Sequence, residues 1–231
     1  MQELRDKTPF HCIIAGPTNC GKTQCLMEQL RGPFKDFFEY IVLICPTYAK
    51  NKTYGFAENE KNSLVASPNV SNCDEINDLL HDCADLFSGT NTLIILDDCA
   101  VSKDLKKRSN KFINLAFSGR QEGLSVWVLT QQLTSIAKPF RENVACVATF
   151  HNPSQIGTKT LFEDYGGDLD SDTRKKFAER ERERFEGMFL PEVSISLLFG
   201  SSSFLSQVEN MYAFKVYLNS FINMTSVIED Y

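Results

Sequence analysis

The chain has 231 residues, of which 42% are hydrophobic and 23% are charged, a balance typical of a globular protein and not of a disordered one. Its 24 lysine and arginine residues against 30 aspartate and glutamate residues give a net charge of −6, which excludes a broad basic surface, so any contact with DNA must be local. The eight cysteines form no CxxC pair, and no stretch resembles a signal peptide or a membrane span, which predicts reduced thiols, no zinc site and an intracellular protein.

Five short apolar runs, rich in β-branched and aromatic residues, recur along the chain. They are nearly continuous, which is typical of parallel strands that are covered on both faces of a sheet. The runs lie at residues 10–15, 40–45, 92–97, 124–130 and 144–150. Helical segments fall between them, and strands that alternate with helices predict a doubly wound α/β fold.

Capping residues mark the ends of the predicted helices. Gly32 closes the first helix, and Gly119 is predicted to close the third. Ser71 with Asp74 forms a capping box for the second helix, and Ser102 caps the third. The helices are predicted at residues 22–31, 72–87, 103–117, 154–165 and 171–185. The third helix carries a cluster of basic residues, which are Lys103, Lys106, Lys107, Arg108 and Lys111.

The composition divides the chain into three parts. Residues 1–165 are predicted to form the core, and residues 166–192 a helical extension whose alternating charges indicate a solvated helix. Residues 193–231 form a tail that is rich in Ser and Phe and has few charges. A last pair of strands, a segment that binds a partner and an unstable end are the alternatives for this tail.

A phosphate-binding loop follows the first predicted strand and precedes the first predicted helix. The segment matches G-x-x-x-x-G-K-[ST] at every fixed position, over Gly16, Pro17, Thr18, Asn19, Cys20, Gly21, Lys22 and Thr23. The glycines let backbone N–H groups turn inward, and the following helix directs its positive end at the same point. Lys22 would reach the β- and γ-phosphates of ATP, and the Thr23 hydroxyl would bind Mg²⁺.

Asp97 ends the predicted strand at 92–97, and Asp98 follows it, in the segment TLIILDDCA. Asp97 would hold Mg²⁺, and Asp98 would act as the general base toward the attacking water. A turn that merely begins with two aspartates is the alternative, because aspartate is common at strand ends. The complete phosphate loop earlier in the chain favours the catalytic interpretation.

Gln131 follows the strand at 124–130. In P-loop ATPases that move polymers, such a strand lies between the strand of the phosphate loop and the strand of the acidic residues. Gln131 both donates and accepts hydrogen bonds, so it would orient water near the γ-phosphate. A polar surface residue at a strand end is the alternative.

Four segments in this order resemble the poxvirus-type DNA-packaging ATPases, a branch of the FtsK–HerA superfamily that also occurs in other large DNA viruses and in Polinton/Maverick elements. They are IIAGPTNCGKT, LIILDDCA, FSGRQEGLSVWVLTQQ and IAKPFREN. The resemblance implies a RecA-like parallel sheet in the strand order 5-1-4-3-2 with helices on both faces. It also implies ATP and Mg²⁺ as cofactors, a ring homo-oligomer (hexamer or pentamer) and movement of double-stranded DNA, with capsid proteins as further partners and no membrane.

The resemblance also assigns roles to single residues. Lys22 and Thr23 take the Walker A roles, Asp97 and Asp98 the Walker B roles, and Gln131 the sensor role. The second Walker B position is Asp98 here, where the wider superfamily commonly has Glu, and the shorter side chain reduces the reach toward water.

Two arginines are candidates for neutralising charge in the transition state, because a guanidinium offers several planar donors to a γ-phosphate. Arg120 follows Ser118 and Gly119 and matches the Gly-Arg element of the family, so it is the predicted arginine finger. Arg141, in the segment AKPFREN, is the second candidate. A surface ion pair is the alternative role for either arginine.

The main function predicted is therefore an ATP-hydrolysing motor for double-stranded DNA, in keeping with viral genome packaging. A nucleotide-binding scaffold or decayed motor copy without turnover is one alternative, and a P-loop small-molecule kinase is another. A viral protein would act in the host cytoplasm, the virus factory, the virion or the nucleus, and a copy integrated in a host genome also fits the sequence.

Overall fold

A computed structural model describes residues 8–54, 62–69, 75–99, 111–150, 155–165 and 195–199. Within these ranges the chain forms a seven-stranded sheet with helices packed against it. The strands are β1 (Cys12–Ala15), β2 (Tyr40–Ile44), β3 (Ser63–Ala66), β4 (Thr92–Leu96), β5 (Leu124–Thr130), β6 (Cys146–Phe150) and β7 (Ile195–Phe199). The helices are α1 (Lys22–Arg31), α2 (Glu75–Phe87), α3 (Lys111–Glu122), the short α4 (Lys138–Arg141) and α5 (Gln155–Tyr165).

The strands lie in the order β3-β2-β4-β5-β1-β6-β7. Strands β1 to β6 pair in parallel, and β7 pairs antiparallel with β6 at one end of the sheet. The five predicted strands keep the predicted order, and the α/β fold class is confirmed. Strand β3 was not predicted. It is the outermost strand at the end of the sheet opposite β7, and its four half-exposed residues form no clear apolar pattern. Strand β7 falls within the predicted tail.

The sheet is buried on both faces, as the continuous apolar runs predicted. All seven residues of β5 are buried, and alternate side chains of β5 enter two separate cores. Val126 and Val128 lie in the core beneath α2 and α3, and Trp127 and Leu129 lie in the core beneath α1. The indole of Trp127 meets the ring of Phe34 edge-on at a centroid distance of 5.2 Å.

The third helix differs from the prediction at its end. Helix α3 continues through Gly119 to Glu122, and Gly123, with a φ of +80°, follows it. A Cβ at Gly119 would lie 2.9 Å from Cε1 of the His11 ring and 3.0 Å from the Leu124 carbonyl oxygen. Gly119 is therefore needed for the close packing of α3 on the sheet, and the prediction that it closes the helix was wrong.

Several predicted features lie outside the described residues. These are the caps at Ser71 and Ser102, the basic cluster apart from Lys111, and the helix at 171–185. The seven cysteines in the described ranges are free. No helix in these same ranges is long and apolar enough to cross a bilayer.

Candidate active site

The phosphate loop connects the end of β1 to the start of α1, and two glycines permit its shape for different reasons. Gly21 has a φ of +93°, in the left-handed region that glycine adopts at no steric cost. A Cβ at Gly16 would lie 2.6 Å from the Cβ of Phe150 and 2.7 Å from the Cys20 Sγ, so no larger residue fits there. The Gly16 amide donates to the Thr130 carbonyl at 3.0 Å and thereby fixes the loop to β5.

Lys22 is the first residue of α1 and folds back over the loop. Its Nζ donates to the carbonyl oxygen of Gly16 at 2.8 Å and to that of Pro17 at 2.7 Å. The ammonium group therefore lies among the loop's own carbonyls, close to the N-terminus of a ten-residue helix. A positive charge beside the N–H groups of a helix N-terminus is an arrangement that binds phosphate.

Asp97 follows β4 directly, and both of its carboxylate oxygens accept hydrogen bonds. The Tyr54 hydroxyl donates to Oδ2 at 2.6 Å, and the Asp98 amide donates to Oδ1 at 3.0 Å. Only 3% of Asp97 is exposed. Burial raises the pKa of Asp97, against the opposing effect of the Tyr54 hydrogen bond. A nearby cation would favour the ionised form of this carboxylate.

The sequence does not mark Tyr54 as a site residue. It ends a 3₁₀ turn at Lys52–Tyr54, is fully buried, and its hydroxyl donates a hydrogen bond to Asp97. Burial, followed by the charge of Asp97, raises the pKa of Tyr54. No motif or apolar period marks this tyrosine, because its role depends on a contact 43 positions along the chain.

The two predicted metal ligands, Thr23 in the first turn of α1 and Asp97 after β4, both lie where the parallel strands end and the phosphate loop begins. Hydroxyl and carboxylate oxygens are hard ligands of the kind that Mg²⁺ prefers, so this pair fits the ion. The described residues contain no group of three or more His, Cys, Asp or Glu side chains that could hold a metal.

Asp98 follows Asp97 with a φ of +55°, in the left-handed region, and its side chain is exposed. Its Oδ2 accepts a hydrogen bond of 2.6 Å from the Thr47 hydroxyl. Thr47 lies just beyond the end of β2, the strand beside β4, and no sequence motif marks it. A threonine from the neighbouring strand thus restrains the predicted base.

Gln131 follows β5, which lies between β1 and β4. Thr130, the preceding residue, is paired in register with Ala15 at the start of the phosphate loop. The side chain of Gln131 is exposed at the end of the sheet where the parallel strands finish, which also carries the phosphate loop and the two aspartates. β5 therefore lies at the predicted position, between the strand of the phosphate loop and the strand of the two aspartates.

Arg120 is exposed in the last turn of α3, at the opposite edge of the sheet. The helix that carries Arg120 is followed by Gly123, whose carbonyl oxygen accepts a hydrogen bond from the amide of Thr92, the first residue of β4. The charge of Arg120 also contributes to lowering the pKa of His11, which lies just before β1. Burial is the main cause, and it lowers the pKa of His11 to about 4. The length of β5 separates the two sheet edges by roughly 20 Å. Arg120 therefore cannot reach the phosphate loop of its own subunit.

Arg141 is buried and is used within the subunit. Its Nε lies 2.8 Å from Oδ2 of Asp164, whose side chain is 8% exposed. One of its terminal nitrogens donates to the carbonyl oxygens of Leu133 at 3.2 Å and Ile136 at 3.1 Å. Arg141 therefore joins α5 to the turn after β5 through a buried ion pair. The alternative role predicted for it was a surface ion pair.

The parallel sheet, the loop between β1 and α1, and the acidic strand end define a P-loop ATPase. The sequence model of the poxvirus A32 protein family matches residues 1–155, and the chain belongs to this family. This confirms the resemblance to DNA-packaging ATPases and the assignment as an ATPase motor of viral genome packaging. None of the curated proteins matches the chain at a significant level.

Solved structures with a similar fold include genome-packaging ATPases of two Sulfolobus turreted icosahedral viruses. The genome packaging NTPase B204 from Sulfolobus turreted icosahedral virus 2, in complex with ATPγS, has a TM-score of 0.56 and 14% sequence identity, over 72% of this chain and 85% of that chain. B204, the DNA-packaging ATPase from Sulfolobus turreted icosahedral virus, has a TM-score of 0.58 and 13% identity, with the same coverage. At these identities the likeness concerns the fold alone.

Proposed function

We propose that the chain hydrolyses ATP with Mg²⁺ at the phosphate loop and moves double-stranded DNA as a ring of identical subunits. The observation that carries the proposal is the convergence of the phosphate loop, Asp97, Asp98 and Gln131 at one edge of the sheet. Membership of the A32 family supports packaging of a viral genome as the purpose of the motion. The similar B204 protein was solved with ATPγS and with AMPPCP, which supports ATP as the nucleotide here.

The roles within one subunit follow from the contacts. The Lys22 ammonium, now on the loop carbonyls, would exchange these for the β- and γ-phosphate oxygens. Thr23 and Asp97 would hold Mg²⁺, which supplies positive charge to the phosphates during transfer. Asp98 would accept a proton from the attacking water, while the Thr47 hydroxyl keeps its Oδ2 in place. Gln131 would orient the same water.

We also propose that Arg120 acts on the nucleotide of the adjacent subunit. Its exposure, and its distance from its own phosphate loop, leave a neighbour's γ-phosphate as the target. Arg141 does not suit this role, because its guanidinium is already engaged by Asp164 and two carbonyl oxygens. Hydrolysis in one subunit would then require docking of the next.

DNA, capsid and domain assignments complete the proposal. The basic cluster that begins at Lys103 would face the duplex in the ring, and capsid proteins would be further partners. Residues 1–165 would form the ATPase core, followed by the helical extension 166–192 and the tail 193–231. The hydrogen bond from the Tyr165 hydroxyl to the Arg141 carbonyl, at 2.8 Å, supports a core that extends to the end of α5. The protein would act inside the infected cell or in the virion.

The test is ATP hydrolysis with and without linear duplex DNA, with Lys22→Ala as the active-site variant. We expect duplex DNA to stimulate phosphate release by the wild type, and the stimulation to fall steeply as salt rises because phosphate contacts release counterions. Lys22→Ala should lose most of its hydrolysis. Lys35→Ala, which removes an exposed lysine, is the matched control and should behave like the wild type. Equal turnover by folded Lys22→Ala protein would contradict the site.

Mixing variants tests the role of Arg120. Arg120→Ala should bind ATP almost normally and hydrolyse it roughly 10³–10⁵-fold more slowly, the range known for arginine fingers. Adding Lys22→Ala subunits, which retain Arg120 but not turnover, should restore part of the activity at shared interfaces. No recovery at any mixing ratio would contradict a role in trans.

A further inference from the structure

Tyr54 contacts the acidic strand end, which lies 43 positions later in the sequence. Its hydroxyl donates to Oδ2 of Asp97 at 2.6 Å. The ring is 0% exposed and packs in the core beneath α1, with the ring of Tyr48 at a centroid distance of 6.3 Å. A phenylalanine would fill the same apolar space, so the packing alone does not explain the hydroxyl group.

The hydroxyl restricts the orientation of the Asp97 carboxylate. Oδ2 is held by Tyr54 and Oδ1 by the Asp98 amide, so two donors on different chain segments fix the group. With only one donor left, the orientation of this buried carboxylate would be less restricted.

We propose that Tyr54 is a positioning residue that orders Asp97 for binding the Mg²⁺ ion that accompanies ATP. This inference rests on the proposed function, because it deepens the role of the same site. Residues that orient metal ligands typically change metal affinity or activity about 10- to 100-fold when their hydrogen bond is removed. The hydroxyl of Tyr54 is placed to act in this way on the Asp97 carboxylate.

The test compares ATPγS affinity in excess Mg²⁺ with that in EDTA, measured by fluorescence anisotropy of a labelled analogue. The ratio of the two dissociation constants reports the contribution of the metal without any turnover. Tyr54→Phe keeps the ring, and we expect it to lose about 10-fold or more of the wild-type ratio. Its affinity in EDTA should stay within about twofold of the wild-type value, because the phosphate loop is unchanged.

Tyr40→Phe is the matched control, because Tyr40 begins β2 at the far edge of the sheet and should leave the ratio unchanged. A Tyr54→Phe ratio equal to that of the wild type would overturn the proposal. An equal loss of affinity in Mg²⁺ and in EDTA would also overturn it, since it would indicate a general structural role. If the wild type itself binds ATPγS no better with Mg²⁺, the proposed metal site fails instead.

Discussion

Replacing Arg141 with alanine should destabilise the fold, in contrast to Arg120→Ala. The Arg141 guanidinium makes an ion pair of 2.8 Å with Asp164 and donates to two main-chain carbonyls of the turn after β5. Truncation removes these contacts and leaves the Asp164 carboxylate, which is 8% exposed, without its cation. The variant therefore creates a buried, uncompensated charge.

The size of the effect follows from this burial. Removing one partner of a buried ion pair costs about 3–5 kcal/mol of unfolding free energy. For a chain of this length, each kcal/mol lowers Tm by about 2–4 °C, so the expected fall is roughly 6–20 °C. Arg120→Ala changes an exposed side chain and should alter stability by no more than about 0.5 kcal/mol.

Thermal and urea unfolding, followed by circular dichroism, would measure both variants. Asp164→Ala and the double variant complete a cycle, and the double variant should lose less stability than the sum of the single changes, because the two residues act as a pair. A Tm for Arg141→Ala within 2 °C of the wild-type value, a margin of about 1 kcal/mol or less, would refute the assignment of Arg141 to the core.

Three further predictions concern single contacts. Thr47→Val removes the donor to Asp98 and should lower kcat by about 10-fold or more at unchanged ATP affinity, and a wild-type kcat in steady-state assays would count against it. Because His11 has a folded pKa of about 4 against an ordinary 6.5, stability should fall as pH drops from 6.5 toward 4, by about 3 kcal/mol in urea titrations. His11→Asn should flatten that dependence, and an unchanged slope would contradict burial of the neutral ring. Gly119→Ala should cost about 1–3 kcal/mol in the same titrations, because its Cβ would meet the His11 ring, and full stability would show that α3 can shift.

The sequence predicted the features that depend on local pattern. The phosphate loop, the acidic strand end and the strand before Gln131 each combine a motif with an apolar run, so their order along the chain sets their place at one sheet edge. Five strands were predicted from their apolar runs, and their order from the family resemblance. Helix α1 ends at Gly32 as expected, because its capping signal is local.

The features that were missed depend on contacts distant in sequence. Tyr54 and Thr47 gain their roles from Asp97 and Asp98, more than 40 positions later, and neither lies in a recognisable pattern. Gly119 resembles a helix C-cap in sequence, but tertiary packing against His11 requires glycine inside the helix. Such contacts become visible only once the sheet has brought the segments together.

Movement along duplex DNA is the central claim, and displacement of a triplex-forming oligonucleotide measures it most directly. The wild type, with ATP and Mg²⁺, should displace the third strand after a lag that grows with the length of duplex between the entry end and the triplex. Lys22→Ala should displace none. A lag that does not depend on the duplex length would contradict a translocating motor. So would a wild-type protein that hydrolyses ATP but displaces no third strand.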